Sequence, residues 1–300
     1  MKTKALQRQN NFGGVVMYNL IDGKKVSAYI KDTVKAEVEA LKAQGKEITL
    51  AVIIVGNDPA SRVYVNNKKK ACEYVGFRSL EFALDESTSE QELLELIDKL
   101  NADKTVNGIL CQLPVPKHID EDKVIDRICP EKDVDGFSKI NVGKLWVGDY
   151  DLAACTPMGV MELLRYYNID VCGKNCVIIG RSNIVGKPMA ALLLEQNGTV
   201  TVCHSRTKNL AEVTRQADIL VAAVGRAGFV TADMVKEGAV VIDVGINRNT
   251  EGKLCGDVDF EAVKGKASAI TPVPGGVGPM TIAMLMKNCN TAAKIQNGLI

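Results

Sequence analysis

The sequence of 300 residues has no long apolar run and no excess of charge of either sign. Lysine and arginine number 37 against 36 aspartates and glutamates, a formal net charge of +1, and the two signs are interspersed. The charge pattern therefore argues against a nucleic-acid partner. No apolar stretch reaches the length that crosses a membrane, and residues 1–16 lack the apolar segment of a secretory signal. We expect neither membrane insertion nor export.

Histidine is scarce and cysteine is scattered. The chain has two histidines and nine cysteines, an odd number, and Cys172 and Cys176 have no second pair at the spacing of a zinc site. Several thiols stand in apolar, strand-like runs, as buried reduced cysteines do. The composition predicts a reduced cytoplasmic protein with neither a disulfide framework nor a metal.

Apolar residues make up 46% of the chain, enough for two hydrophobic cores, and helical and strand-like segments alternate. This alternation predicts an α/β fold of two domains, each with a mainly parallel sheet flanked by helices. Helices are predicted at 25–43, 60–75, 89–100, with a Ser89…Glu92 capping box, 120–127 and 280–295. Strands are predicted at 48–55, 79–84, 106–112, 175–179, 199–203, 218–224, 239–244 and 269–271.

The domain boundary is expected near residue 155. Residues 130–151 are rich in aspartate and glycine and are predicted to be irregular, after which Thr156 and Pro157 open a helix as N-cap and first residue. We expect a first domain at 17–155, completed by a C-terminal helix at 281–300, and a second domain at 156–280. Residues 1–16 are polar and are interpreted as an N-terminal extension, with Met17 a candidate natural start.

The segment 177–188 is typical of a dinucleotide site. An apolar strand ends at Gly180, a turn follows, and a helical pattern opens near Val185, so that backbone amides and a helix N-terminus can hold a pyrophosphate. Arg181 and Ser182 stand where a plain dinucleotide turn has a second glycine. Residues 204–207, after the next strand, contain no acid to accept the ribose 2′-hydroxyl, but they offer cations and hydroxyls for a 2′-phosphate. The pattern indicates NADP.

Tyr64 and Lys68 stand one helical turn apart on the predicted helix 60–75, with an aromatic ring beside an amine. Lys69 and Lys70 rotate away from Tyr64. Taken alone, the pair favours a solvated lysine run, because such runs are common on exposed helix faces. A catalytic amine is the alternative.

Several loops admit both a structural and a functional interpretation. Gln112 ends a strand at the carboxyl edge where α/β sheets bind ligands, but it is equally a loop amide. Asp133 and Asp135 fit an ordinary turn, unless a cleft supplies a substrate rich in N–H groups. The loop 271–279 has three glycines and three prolines, which favours close approach of a ligand. The segment 243–247 lies where backbone would face a nicotinamide.

Together these segments resemble the bifunctional methylenetetrahydrofolate dehydrogenase/cyclohydrolase family. The likeness covers nearly everything from Tyr18 onward, with several long motifs in order and evenly spread. The motifs are Tyr64-Val65-Asn66-Asn67-Lys68, Gln112-Leu113-Pro114-Val115-Pro116, Pro130-Glu131-Lys132-Asp133-Val134-Asp135-Gly136, Gly180-Arg181-Ser182-x-x-Val185-Gly186-x-Pro188 and Thr271-Pro272-Val273-Pro274-Gly275-Gly276-Val277-Gly278-Pro279-Met280-Thr281.

The resemblance implies a folate site in the first domain. Lys68 is then the general acid and base, and Tyr64 stacks on the aminobenzoyl group. Gln112 holds Lys68 and orients the folate, and Asp135 bonds the pterin. The loop of Pro274, Gly275 and Gly276 is implied to line a folate cleft between the domains.

The resemblance also implies the cofactor contacts. Arg181 and Ser205 are expected to take the 2′-phosphate of NADP, with the rest of the dinucleotide lying along the remaining residues of the motifs. Those residues are Gly180, Ser182, Val185, Gly186, Pro188, Gly245 and Ile246.

The expected function is NADP-dependent oxidation of 5,10-methylenetetrahydrofolate, followed by hydrolysis to 10-formyltetrahydrofolate, in a cytoplasmic homodimer. One alternative is another two-domain NADP dehydrogenase with a catalytic lysine, similar to shikimate dehydrogenase, which would lack the 274–279 loop and the Tyr64–Lys68 pair. A second is a non-catalytic module that senses NADP, which needs no general base.

Overall fold

The computed structural model describes residues 6–9 and 15–300, which form two compact units. One comprises Ala28–Cys155 with Ile282–Ile300, and the other comprises the described residues up to Ser27 with Thr156–Thr281. We call them the three-strand unit and the seven-strand unit after their sheets.

The elements alternate along the chain as the sequence predicts. The strands are β1 (Leu6–Gln9), β2 (Val15–Leu20), β3 (Thr49–Val55), β4 (Arg78–Leu84), β5 (Gly108–Cys111), β6 (Asn175–Ile179), β7 (Thr199–Cys203), β8 (Ile219–Ala222), β9 (Val240–Asp243), β10 (Asn247–Arg248), β11 (Leu254–Cys255) and β12 (Ala269–Ile270). The α-helices are α1 (Gly23–Lys42), α2 (Pro59–Val75), α3 (Glu90–Ala102), α4 (Glu121–Arg127), α5 (Lys139–Val147), α6 (Cys155–Tyr166), α7 (Gly186–Glu195), α8 (Leu210–Thr214), α9 (Phe260–Val263) and α10 (Val277–Gln296).

The sheet of the three-strand unit is parallel and has the order β4-β3-β5. Every residue of β3 is buried, which explains why that strand reads as a continuous apolar run. The core joins Ile53 and Ile109 of the sheet to Leu93 and Ile97 of α3, all fully buried. The predicted capping box at Ser89 and Glu92 opens α3. The sheet therefore brings the ends of β3 and β5 to one edge.

The sheet of the seven-strand unit has the order β1-β2-β12-β9-β8-β6-β7. Every neighbouring pair in this order is parallel except the first, because β1 pairs antiparallel with β2. The predicted α/β architecture with mainly parallel sheets is confirmed. The carboxyl ends of β6, β7 and β8 lie side by side, where such sheets bind ligands.

The N-terminal residues pair differently from the expectation. We placed 17–27 in the first domain, but β2 pairs with β12, and residues through Ser27 group with the seven-strand unit. Of the predicted extension 1–16, positions 1–5 and 10–14 lie outside the described residues. The sequence near β2 does not indicate this pairing, because β2 and its parallel partner β12 are short and far apart in the chain.

One predicted irregular stretch contains a helix. Within 130–151 the structure has α5, which begins after Ser138, whose hydroxyl accepts the amide of Asn141, and ends at Gly148 with a φ of 76°. This helix exposes Ile140, Trp146 and Val147. Because apolar residues stand on the solvent side as well as the buried side, the sequence lacks the one-sided apolar pattern that predicts a helix. The capping residues were the remaining signal.

Two helix starts also differ from the prediction. Helix α6 begins at Cys155, and the Thr156 hydroxyl bonds the hydroxyl of Thr281 at 2.8 Å instead of capping a helix amide. Helix α10 begins at Val277, three residues before the predicted start. Pro279 is tolerated there because the first turn of a helix needs no amide donor.

Within residues 6–9 and 15–300, no helix combines the length and apolarity needed to span a bilayer. The same residues contain no group of three or more histidine, cysteine or acidic side chains able to hold a metal ion. All nine cysteines are free thiols.

Candidate functional site

Lys68 lies on the buried face of α2. Its side chain is 8% exposed, between the buried Val65 and Cys72, whereas Lys69 and Lys70 are exposed. The helix is fixed at its start by Asp58, whose carboxylate accepts the amide of Ser61 at 2.7 Å. Lysine is seldom buried without a paired acid. The plain interpretation of a solvated lysine run therefore holds for two of the three lysines and is wrong for Lys68.

Gln112 is the hydrogen-bond partner of Lys68. The Lys68 Nζ donates to Gln112 Oε1 at 2.9 Å, and Gln112 Nε2 donates to the carbonyl of Leu113 at 2.8 Å. Its backbone amide bonds Ile53 at 2.8 Å, which anchors it at the end of β3 and β5. With its NH₂ group engaged, the amide presents its oxygen to the amine. The hydrogen-bond acceptor of this lysine is therefore a neutral amide oxygen.

Asp133 and Asp135 have different roles although two positions separate them. The Asp133 carboxylate is buried and accepts the amides of Gly136 at 3.0 Å and Ser138 at 2.8 Å, and the side-chain amide of Asn141 at 3.0 Å. It fixes the turn. Asp135 has no hydrogen-bond partner for its carboxylate among the residues that the structure describes.

Burial, with a smaller contribution from the neighbouring Asp133, raises the pKa of Asp135 to about 6 against the opposing attraction of the Lys68 amine. The same carboxyl and amine act on the thiol of Cys111, whose pKa is raised to about 12 chiefly by burial. Asp135 and Lys68 therefore lie within electrostatic reach of each other. An unpartnered, poorly solvated carboxylate is a candidate for binding a ligand.

Tyr64 precedes Lys68 by one turn of α2 and is 39% exposed. The structure thus brings Tyr64, Lys68, Gln112 and Asp135 together in the three-strand unit. They combine a flat ring, a buried amine, a fixed amide and a free carboxylate, groups suited to a planar substrate rich in N–H donors.

The turn after β6 needs glycine at two positions. Gly180 has a φ of 129°, and a Cβ there would stand 2.2 Å from the carbonyl oxygen of Ala223. A Cβ on Gly186 would stand 2.2 Å from the carbonyl oxygen of Gly180. The Ser182 hydroxyl accepts the amides of Val185 and Gly186 at 3.2 and 3.4 Å. This cradle brings backbone close to whatever occupies the end of the sheet.

A cavity of about 490 Å³ opens at the carboxyl ends of β6, β7 and β8. Its lining contains two arginines, a histidine, two serines and a threonine, and no acid. The lining residues are Ile179, Gly180, Arg181, Ser182, His204, Ser205, Thr207, Leu210, Ala223, Val224, Arg226 and Phe229. The cations, hydroxyls and glycine cradle fit a phosphorylated dinucleotide, as the segments 177–188 and 204–207 predicted.

Other residues assigned to the cofactor do not line this cavity. Val185 precedes α7, and Gly186 and Pro188 lie buried in its first turn. Gly245 packs against Asp257, and the 48% exposed side chain of Ile246 is likewise outside the lining. Their contact with a dinucleotide stays a prediction.

The loop containing Pro274, Gly275 and Gly276 belongs to the seven-strand unit. The carbonyl of Gly275 accepts the amides of Gly23 and Lys24 at 3.0 and 3.2 Å, so this loop caps α1. A Cβ on Gly23 would stand 1.7 Å from the Gly276 carbonyl oxygen. The glycine-rich sequence thus meets a structural need, and its folate contact stays a prediction.

Three residues of the cavity lining were not predicted from the sequence, namely Val224, Arg226 and Phe229. The sequence interpretation also missed Asp257, a fully buried carboxylate that accepts the backbone amides of Val224 and Arg226 at 2.6 and 2.8 Å. Residues 225 and 226 directly follow the predicted strand 218–224. This position was an available signal, because the carboxyl ends of neighbouring parallel strands border the same site.

Two family models match the chain. The catalytic domain of tetrahydrofolate dehydrogenase/cyclohydrolase matches residues 21–135, and the NAD(P)-binding domain of the same family matches residues 154–297. The bifunctional protein FolD of Agathobacter rectalis is 65% identical over 278 residues, which span 93% of this chain and all of that protein.

Solved structures agree with the family models. The bifunctional FolD methylenetetrahydrofolate dehydrogenase/cyclohydrolase of Campylobacter jejuni has a TM-score of 0.91 at 54% identity, covering 93% of this chain and 99% of that one. The Trypanosoma brucei enzyme, solved with NADP and an inhibitor, has a TM-score of 0.89 at 39% identity, covering 93% and 98%. A shikimate dehydrogenase of Aquifex aeolicus, at 18% identity and a TM-score of 0.50, shares the fold alone. The chain therefore belongs to the tetrahydrofolate dehydrogenase/cyclohydrolase family.

Proposed function

We propose that this chain oxidises 5,10-methylenetetrahydrofolate with NADP and then hydrolyses the methenyl product to 10-formyltetrahydrofolate, with Lys68 as the acid–base residue. Membership of the family supports both activities and the cofactor. The observation that carries the assignment of Lys68 is its burial, with the amine 2.9 Å from a neutral amide oxygen. A shikimate dehydrogenase or a non-catalytic NADP sensor is not favoured.

In the first reaction the one-carbon bridge between N5 and N10 loses a hydride. When bound, NADP supplies the acceptor at C4 of its nicotinamide. The remaining positive charge spreads over both nitrogens of the methenyl product.

In the second reaction water adds to the methenyl carbon. Lys68 accepts the proton that the attacking water loses. The bond from that carbon to N5 then breaks as N5 takes up a proton and the new hydroxyl loses its own, which forms the carbonyl. The carbon remains on N10 as a formyl group, and the net change releases one proton. Gln112 positions the amine throughout, because its own NH₂ group is held by the Leu113 carbonyl.

The remaining residues bind the two substrates. Asp135 accepts hydrogen bonds from the pterin, and Tyr64 stacks on the aminobenzoyl ring. The folate also contacts Pro274, Gly275 and Gly276. The 2′-phosphate is bound by Arg181 and Ser205, and the rest of the dinucleotide lies along Gly180, Ser182, Val185, Gly186, Pro188, Gly245 and Ile246.

We further propose a homodimer in the cytoplasm, with no nucleic-acid partner. Strand β7 lies at the end of its sheet with Val202 exposed, and an open strand edge is a place where a second copy can pair. Nine free thiols suit a reducing compartment. Analytical ultracentrifugation tests the dimer: a single species at monomer mass at micromolar concentration would contradict it.

The decisive experiment compares Lys68→Met with Lys69→Met. Both remove one lysine from the same helix, but Lys69 is exposed. Lys68→Met is expected to abolish hydrolysis of methenyltetrahydrofolate while leaving the dissociation constant of NADP nearly unchanged. Lys69→Met is expected to leave both unchanged. Full cyclohydrolase activity in Lys68→Met would remove this lysine from the mechanism.

A further inference from the structure

We propose that Arg226 is a second specificity-determining residue for NADP, which acts with Arg181 on the 2′-phosphate. This inference rests on the proposed use of NADP. It assigns to Arg226 a role that neither the segment 177–188 nor the segment 204–207 suggests.

The first support is position. Arg226 follows β8, whereas Arg181 follows β6, and both line the same cavity at adjacent strand ends. The backbone amide of Arg226 donates to the buried carboxylate of Asp257 at 2.8 Å. Asp257 also accepts the amide of Gly225 at 3.0 Å, so the buried carboxylate holds the backbone of the loop that carries Arg226.

The second support is that the Arg226 guanidinium is oriented by an aromatic ring while its charge is not paired with an acid. The Arg226 guanidinium lies 4.8 Å from the ring centroid of Phe229, which also lines the cavity. Such stacking occupies one face of the guanidinium and leaves its N–H donors available. Within the described ranges, no ion pair engages Arg226 or Arg181 and no acid lines the cavity.

The third support is the balance of charge. A phosphate monoester carries about −1.5 to −2 at neutral pH. One arginine neutralises roughly half of that charge, and Ser205 adds a donor but no charge. The guanidinium of Arg226 supplies the second positive charge that the 2′-phosphate needs. NAD lacks this phosphate, so the contribution of Arg226 to binding should depend on the cofactor.

Titration calorimetry of NADP and NAD tests the proposal on the full chain. Arg226→Gln is expected to weaken NADP about tenfold, the change that about 1.4 kcal/mol produces, and NAD by less than about twofold. The matched control is Arg215→Gln in the same unit, which removes an exposed arginine whose guanidinium bonds the Asp233 carbonyl outside the cavity. This control should change neither affinity.

A rescue variant and salt dependence add independent readouts. Arg226→Lys keeps the charge and should recover most of the preference for NADP over NAD. Loss of one phosphate contact should also make the NADP dissociation constant of Arg226→Gln less sensitive to added salt than that of the wild type.

Equal weakening of NADP and NAD by Arg226→Gln would overturn the proposal, because it would place the arginine at a part that both cofactors share. Unchanged affinities would overturn it as well. If the wild type binds and turns over NADP in these cases, only this inference fails. A wild type that does not bind NADP overturns the proposed function together with the inference.

Discussion

Replacing Asp135 with asparagine is expected to stabilise the free protein near neutral pH while impairing folate binding. In the folded chain, burial raises the pKa of Asp135 from 3.8 to about 6. The folded state therefore holds this proton more tightly than the unfolded state does, and ionisation of the carboxyl costs stability above pH 6. Asparagine resembles the neutral form, which bears no such cost.

The magnitude follows from the difference between the two pKa values. A rise from 3.8 to about 6 corresponds to about 3 kcal/mol of lost stability at pH 7.5. The cost shrinks as pH falls below 6 and disappears below 3.8. Asp135→Asn should therefore raise the free energy of unfolding by about 3 kcal/mol at pH 7.5, but by less than about 1 kcal/mol at pH 4.

Urea denaturation followed by tryptophan fluorescence measures this difference. The only tryptophan of the chain, Trp146, lies on α5 in the same unit as Asp135. Asp243 in the other unit also has a pKa raised to about 6 by burial, but it is present in both proteins and cancels in the comparison.

Asp133→Asn is the matched control, with the opposite sign. Its carboxylate accepts three hydrogen bonds, so an NH₂ group there would face a donor and should destabilise the unit by more than about 1 kcal/mol. Asp135→Asn would refute the reasoning if it destabilised the protein at pH 7.5, or stabilised it equally at both pH values.

Two further predictions concern the amine and the nucleotide cavity. Gln112→Glu places a carboxylate beside the Lys68 amine, which must accept a proton, and should lower cyclohydrolase activity at pH 7.5 more than Gln112→Ala does. Gln112→Ala adds no charge, and equal losses in the two variants would disprove the electrostatic explanation. Arg181→Ala should weaken the binding of NADP at least about tenfold more than the binding of NAD in titration calorimetry, because a charge-assisted contact to the 2′-phosphate is lost. Equal losses of affinity for the two cofactors would assign Arg181 a structural role.

The sequence predicted most strongly where a pattern is local. Strands β6 and β7 occur at the predicted residues because their apolar runs are bounded by turns. The capping box at Ser89 depends only on residues three apart. The absence of an acid after β7 predicted NADP, and the family model agrees to the extent that it describes an NAD(P)-binding domain.

The sequence predicted less where a residue's role depends on distant partners. Asp133 and Asp135 occupy one turn and differ only because Asn141 and two amides engage the first. Arg226 owes its fixed backbone to Asp257, 31 positions away in the chain. The motif Tyr64-Val65-Asn66-Asn67-Lys68 distinguished Lys68 from Lys69 and Lys70 in the sequence, whereas the burial of its side chain could be seen only in the structure.

A single turnover with 5,10-methylenetetrahydrofolate carrying two deuterium atoms on its bridge carbon tests the central claim most directly. In the wild type with NADP, one deuterium should appear in NADPH and the other in the formyl group of 10-formyltetrahydrofolate. In Lys68→Met, no deuterated formyl product should form above the uncatalysed rate. Reduction of NADP without transfer of deuterium, or normal formyl production by Lys68→Met, would contradict the account.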